Sequence, residues 1–439
     1  MAGRIPEQYD EDARKAGHVD RVDDDGGRDA RWKLIGPGLV VAATGVGAPD
    51  MVATLAAGSR YGYLLFWAVI VGVIMKIVLV EGAGRYTLAT GYTIFEGWRR
   101  LGIWTTIYFA PYIVIWGFVY GAAAMSSSAL PLAALFPQLP LIAWAVVMGL
   151  LGFVLVWFNK YAIFEKITAG LVGIMFFTVV VLAAIALPNV PALLAGLLPV
   201  IPEGGMFYTL ALAGGVGGTI TLAAYGYWLR EKGWYTPKWM RVMRIDNTMA
   251  YVMTGIFVIS MLIVGAEVVA AAGVTLSSGD RGLLDLDTVL QDRYGPFVGK
   301  AFLVGFWAAA FSSLIGVWNG VSLMFADFVG KMRGLDSDHP DTRVGGKYFK
   351  WYVLWLTFPP MVLLFLDQPI FLILLYGVLG ALFMPFMALA NLGLLNGRNI
   401  PAEWRNNVVQ NILLGVTTLL FVILGGYQVW QAVAKVLGG

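Results

Sequence analysis

Long apolar runs alternate with short polar stretches along this chain, at a spacing that suits repeated passage through a bilayer. Taking about 20 apolar residues per crossing, the pattern predicts eleven membrane helices near residues 34-58, 63-88, 104-128, 139-158, 162-187, 206-229, 246-273, 297-328, 348-366, 369-395 and 407-434. The first 31 residues are polar, carry Asp23-Asp24-Asp25-Gly26-Gly27 and lack an apolar core of the kind a signal peptide needs. They are expected to form a disordered cytosolic tail (1-31) ahead of one transmembrane domain (32-439).

Two of the apolar segments are interrupted. In the first, Thr44-Gly45-Val46-Gly47-Ala48-Pro49-Asp50-Met51 places glycines, a proline and a carboxylate at membrane depth. Glycine and proline break the hydrogen-bond ladder, and an acid there costs about 3 kcal/mol unless it has a purpose. Five segments later comes Gly214-Gly215-Val216-Gly217-Gly218-Thr219-Ile220-Thr221. Paired broken helices in corresponding halves are the sequence pointer to a transporter's midplane site.

Composition narrows the chemistry. With 59% hydrophobic and 13% charged residues, the chain is a polytopic membrane protein rather than a soluble one. The absence of Cys removes disulfides, thiolate metal sites and Cys nucleophiles. His18 and His339 both fall outside the apolar segments, so no imidazole serves an intramembrane relay. There is no HExxH and no GxSxG, so a membrane-embedded enzyme is not expected. Basic loops (Arg99-Arg100; Lys160, Lys166; Arg230 to Arg244; Lys331 to Lys350; Arg398, Arg405) alternate with loops nearly free of Lys and Arg. The positive-inside rule then puts the N-terminus in the cytoplasm and, with an odd count, the C-terminus outside. Loop 274-296 is predicted to hold a short amphipathic helix through Leu283, Leu284, Leu286, Val289 and Leu290. Trp32, Tyr61, Tyr63, Trp98, Trp104, Trp351 and Tyr352 are expected to form interfacial belts.

Ile35-Gly36-Pro37-Gly38, the interrupted segment, and then Ala57-Gly58-Ser59-Arg60-Tyr61-Gly62-Tyr63-Leu64-Leu65 resemble the start of the Nramp family of divalent-metal transporters. The resemblance continues through Asn159 to Glu165, Arg244-Ile245-Asp246-Asn247-Thr248, Ser312-Ser313-Leu314-Ile315-Gly316 and Phe383-Met384-Pro385-Phe386, so it covers about residues 34 to 434. It implies an all-α LeuT-like fold: two inverted five-helix repeats plus an eleventh helix, with the ion held between unwound parts of the first and sixth spans.

The departures from the family pattern are informative. Where the family reads Asp-Pro-Gly-Asn, this chain has Gly47-Ala48-Pro49-Asp50 or, one residue on, Ala48-Pro49-Asp50-Met51. In either register the leading acid is gone and Asp50 is new. Where the family reads Met-Pro-His-Asn, this chain reads Thr221-Leu222-Ala223-Ala224, losing thioether and imidazole together. Residues 107 to 124 of the third span hold no acid, unlike proton-coupled members. Loss of soft donors favours a hard cation on oxygen ligands, and Mg2+ usually keeps several waters while using one or two carboxylates. The sequence therefore resembles the Nramp-related magnesium transporter branch.

The expected site uses Asp50 as direct or water-mediated ligand, its alternative being to cap the unwound backbone. Thr221 offers a hydroxyl, or else bonds its own helix. The backbone carbonyls of Thr44 and Gly218 add main-chain oxygen. Gly47, Ala223 and Ala224 leave space for a hydrated ion. On the second span, Glu81 and Arg85 are spaced to pair at i, i+4. Lys76 either snorkels or makes a gate contact. Glu267 lines an outer vestibule or is buried against a polar partner. Asn319 and Asn391 are expected to bond between helices, and Phe383 to pack.

The function expected is uptake of divalent cations, chiefly Mg2+ with Mn2+ second, by alternating access without proton coupling, in a bacterial inner membrane. The cation is cargo, no cofactor is implied, and the partners are the metal ion and the bilayer, with neither nucleic acid nor an obligate protein partner. An amino-acid or amine carrier of the same fold, or a proton-coupled transition-metal importer, are the alternatives.

Overall fold

The computed structural model describes residues 36-158, 161-215, 217-272, 281-366 and 369-437. The expected tail, Trp32 and the motif residues Ile35, Asn159, Lys160 and Val216 lie outside the described residues. Helices occupy all eleven predicted segments. The first span is a broken pair, α1 (Pro37–Thr44) and α2 (Ala48–Tyr61). Then follow α3 (Phe66–Thr90), the short α4 (Ile94–Leu101), α5 (Ile103–Leu135), α6 (Leu141–Phe158), α7 (Tyr161–Ile185) and the short α8 (Val190–Ala195). The sixth span is again a broken pair, α9 (Met206–Gly215) and α10 (Thr221–Glu231). It is followed by α11 (Met240–Val264), α12 (Arg281–Tyr294), α13 (Pro296–Met332), α14 (Lys347–Thr357), α15 (Met361–Leu364), α16 (Pro369–Asn396) and α17 (Val408–Leu437).

Among the described residues six helices are individually long and apolar enough to cross a membrane. The two interrupted spans and the divided ninth span, α14 with α15, are built from shorter pieces. Local chemistry explains the boundaries. Thr93 caps α4 in a reciprocal pair with Glu96, whose backbone N–H donates to the Thr93 hydroxyl while the Thr93 N–H donates to the Glu96 carboxylate at 2.9 Å. The loop between the seventh and eighth spans does carry a helix, α12, with Leu286, Val289 and Leu290 on its buried side.

The two broken spans sit in the middle of the bundle, with α3, α11 and α13 packed against them. Three expected belt residues are corrected here, the first being Tyr63, which is buried with its hydroxyl donating to Glu267. Trp98 and Tyr352 are buried in the core, Trp98 against Phe109 and Phe386, and Tyr352 stacked on Phe325 with its hydroxyl donating to the Ile113 carbonyl. Trp104 and Trp351 are exposed, as a belt requires. An aromatic near a helix end reads the same in sequence whether it faces lipid or a neighbouring helix.

Candidate functional site

The chain unwinds at Gly45-Val46-Gly47 and again just before Thr221. Pro49 falls in the first turn of α2, where its missing N–H is not needed, so glycine rather than proline marks the first break. At the second break Gly217 and Gly218 have φ of +91° and +94°, a conformation that side chains other than glycine rarely tolerate. The breaks are joined to each other: the Gly217 N–H donates to the Gly45 carbonyl at 3.2 Å. The Tyr251 hydroxyl of α11 donates to the Gly217 carbonyl at 3.0 Å, holding the unwound strand from the far side.

Thr44 and Thr221, at the facing ends of the two half-helices, bring their hydroxyls to 2.8 Å of one another. The Thr44 hydroxyl also bonds the Val41 carbonyl at 2.6 Å, one turn back. The Thr44 carbonyl accepts from Ser313 on α13 at 3.2 Å, and the Tyr120 hydroxyl of α5 donates to the Ser313 carbonyl at 3.2 Å. Hydroxyls and main-chain carbonyls from four spans thus converge where the breaks meet. Ala223 and Ala224 are fully buried beside them, and Ala224 faces Gly320 of α13. Gly47 is half-buried in the first gap, its carbonyl accepting the Met51 N–H at 3.2 Å. Asp50 belongs to the first turn of α2, and its side chain lies outside the described residues. Among the described residues no group of three or more His, Cys, Asp or Glu is gathered as a metal cage.

The Gly218 carbonyl has a different neighbour from the one expected. It accepts the Lys76 ammonium of α3 at 2.6 Å. Lys76 is wholly buried, so it does not snorkel; its Nζ also lies 3.7 Å from the Met384 sulfur of α16 and 5.4 Å from the centre of the Phe421 ring of α17. One lysine therefore meets the sixth, tenth and eleventh spans.

The other polar residues of the spans are structural. Glu81 pairs with Arg85 at 3.1 Å, as its spacing predicts, and with Arg244 of α11 at 3.0 Å. Arg85 further donates to the Trp404 carbonyl at 3.0 Å and to Asn406 at 2.7 Å, tying α3 to the segment leading into α17. Glu267 is half-buried and accepts from the Tyr63 hydroxyl at 2.6 Å and the Asn189 N–H at 3.2 Å, so it has the polar partners expected of it. Asn319 accepts from Trp228, and Asn391 donates to the Leu79 carbonyl, both between helices. Phe383 is buried and stacked on Tyr112.

Two acids to which the sequence assigned no role, Asp246 and Asp327, organise one end of the bundle. Asp246 of α11 accepts the N–H groups of Gly36 and Gly38 at 3.0 and 2.7 Å and the Tyr225 hydroxyl of α10 at 2.8 Å. Asp327 of α13 accepts hydroxyls from Thr93, Tyr227 and Ser337 at 2.6 to 2.9 Å, on the wall of a cavity of about 130 Å³ shared with Arg230, Glu231 and Asp338. The signal was present in both cases as an acid inside or at the edge of an apolar segment.

Residues 38–431 match the family model described as natural resistance-associated macrophage protein-like. Among curated proteins, the chain is 27% identical over 324 residues to the divalent metal cation transporter MntH of Chromohalobacter salexigens, covering 68% of this chain and 72% of that one. It is 24% identical over 316 residues to MntH of Bacillus subtilis, covering 66% and 70%. Among solved structures, a manganese transporter of Eremococcus coleocola superposes with a TM-score of 0.76 at 14% identity, covering 95% of this chain and 91% of that one. MhsT in complex with L-phenylalanine superposes with a TM-score of 0.55 at 15% identity, covering 88% and 97%. The architecture is accordingly the LeuT-like one, with its two broken spans.

Proposed function

This chain belongs to the Nramp family, and from that premise we propose that it is a secondary transporter of divalent cations, chiefly Mg2+ with Mn2+ as the competing cargo, working by alternating access. The curated relatives named as divalent metal cation transporters support a divalent cargo. The observation that carries the finer reading is the donor chemistry at the junction of the breaks. Thr44, Thr221 and Ser313 present oxygen there, and positions 221-224 contain neither thioether nor imidazole. Oxygen donors with few carboxylates suit a hard, partly hydrated ion. Asp50, in the first turn of α2, supplies the anionic ligand of this reading, and Gly47, Ala223 and Ala224 the room for retained water.

The absence of acids over residues 107-124 supports transport without a coupled proton. Membrane potential is sufficient drive, since a divalent charge gains about 4.6 kcal/mol per 100 mV, twice the single-charge value. The loop charges support a cytoplasmic N-terminus and an external C-terminus, and the bacterial relatives support a bacterial inner-membrane location.

The test is Mg2+ flux into proteoliposomes with Mn2+ and Ca2+ competition, an internal pH readout and Asp50→Ala in parallel. Saturable Mg2+ entry without acidification, lost in Asp50→Ala, is the expected result. Entry only with co-moving protons, or no Mg2+ entry at all, refutes it.

One observation favours a second reading. A buried ammonium at the sixth-span break, Lys76 on Gly218, is the partner a carboxylate-bearing organic solute would use. Saturable uptake of a labelled amino acid by the same vesicles, with no Mg2+ flux, would select that reading.

A further inference from the structure

Resting on the cation-carrier reading above, we propose that the Lys76 ammonium is a tethered cation that fills a cation position of the transport core and thereby decides whether a free metal ion can occupy it. Three observations define the position. The Gly218 carbonyl is turned out of helical bonding by the positive φ of Gly217 and Gly218, and it receives Lys76 Nζ at 2.6 Å. The π face of Phe421 lies 5.4 Å from the ammonium, and the Met384 sulfur 3.7 Å. A carbonyl oxygen, an aromatic face and a thioether all favour a positive charge.

The same segment bears on the two threonines. Thr221 Oγ1 lies 3.1 Å from where a Cβ on Gly218 would stand, and Gly217 bonds directly to Gly45. The ammonium therefore sits on the very turn that carries the candidate oxygen ligands. The ammonium and a metal ion compete for the same Gly218 carbonyl oxygen, and like charges on one turn repel more strongly in a low-dielectric core than in water. Loading of a dication then requires Lys76 to leave the Gly218 carbonyl, and return of Lys76 helps to expel the ion. The lysine is a specificity-determining residue that weakens affinity and speeds release.

The three aromatic, thioether and carbonyl contacts come from different spans, which gives the device a route for coupling. Phe421 belongs to α17 and Met384 to α16, while Gly218 belongs to the broken span. Rocking of the broken spans away from α16 and α17 would separate the carbonyl from the other two groups and change what holds the ammonium.

The experiment compares wild type, Lys76→Met and Lys76→Arg in proteoliposomes, measuring KM and Vmax for Mg2+ and Mn2+ uptake, with thermal unfolding in detergent as a fold check. Lys76→Met is expected to lower KM about tenfold or more by removing the repulsion, with Vmax reduced by slower release. Lys76→Arg keeps the charge and is expected to keep the wild-type KM. A merely structural lysine would lose Vmax and thermal stability without gaining affinity. Metal uptake gained in Lys76→Met from a wild type that carries none would uphold this proposal and refute the cation-carrier reading of the native protein. An unchanged KM in a folded Lys76→Met overturns this proposal alone, whereas no uptake by any of the three overturns the cation-carrier reading and this proposal with it. If Lys76→Met does not fold, Lys76→Gln is measured against the same outcomes, and an affinity no tighter than wild type refutes the proposal.

Discussion

Gly45 and Gly217 meet backbone to backbone, the amide of one span's break donating to the carbonyl of the other's at 3.2 Å. A Cβ on Gly45 would overlap the backbone of Gly217. No flexible side chain stands between them to yield. Gly45→Ala is therefore expected to separate the breaks, at a cost of about 1–3 kcal/mol for overpacking, and to abolish transport. Gly170 on α7, where a Cβ meets nothing within 4 Å, provides the control. Gly170→Ala should leave flux and the unfolding temperature unchanged or slightly raised, while Gly45→Ala lowers both.

The Thr44–Thr221 pair makes a second expectation. Thr221→Val keeps the shape but removes one hydroxyl, leaving the Thr44 hydroxyl its bond to Val41. Stability should change by only about 1 kcal/mol, the net worth of one hydrogen bond. If that oxygen serves the cargo, the KM for Mg2+ rises about fivefold or more, and Thr221→Ser restores it. Equal KM values in Thr221→Val and wild type would remove Thr221 from the ligand set.

A third expectation concerns pH. Glu231, at the C-terminal end of α10, is held up to about 7 by burial, partly offset by Arg230 and Arg343. A carboxyl with a raised folded value binds its proton more tightly in the native state than in the unfolded chain. Its contribution is complete below its ordinary value near 4.5 and is lost as pH rises through about 7. Thermal unfolding in detergent should show a midpoint falling between pH 5 and 8, with that portion of the slope absent in Glu231→Gln. A slope of the same size in Glu231→Gln would assign it to other groups.

Much of the framework is legible because the membrane imposes it. Each apolar segment had to become a helix, and Gly45, Gly217 and Gly218 announce where backbone bonds are surrendered. The spacing of Glu81 and Arg85 foretold their pair. Lys76 resisted reading for a physical reason. α3 is apolar nearly all round, so no polar stripe indicates which face turns inward, and a lysine one residue away from its position would have faced another way. Arg244 as the second partner of Glu81, and Asp246 as the anchor for Gly36 and Gly38, depend on contacts across 163 and more than 200 residues, which no local pattern encodes.

Asp246 also ties three helices together at one point. A single carboxylate pins the entry of α1 and, through Tyr225, the body of α10 to α11, so these three helices share one point of attachment. A rigid arm hinged at one end sweeps widest at the other. Rocking of the first and sixth spans would therefore be concentrated beyond their breaks, in α2 and α9, with α1 and α10 as the axle.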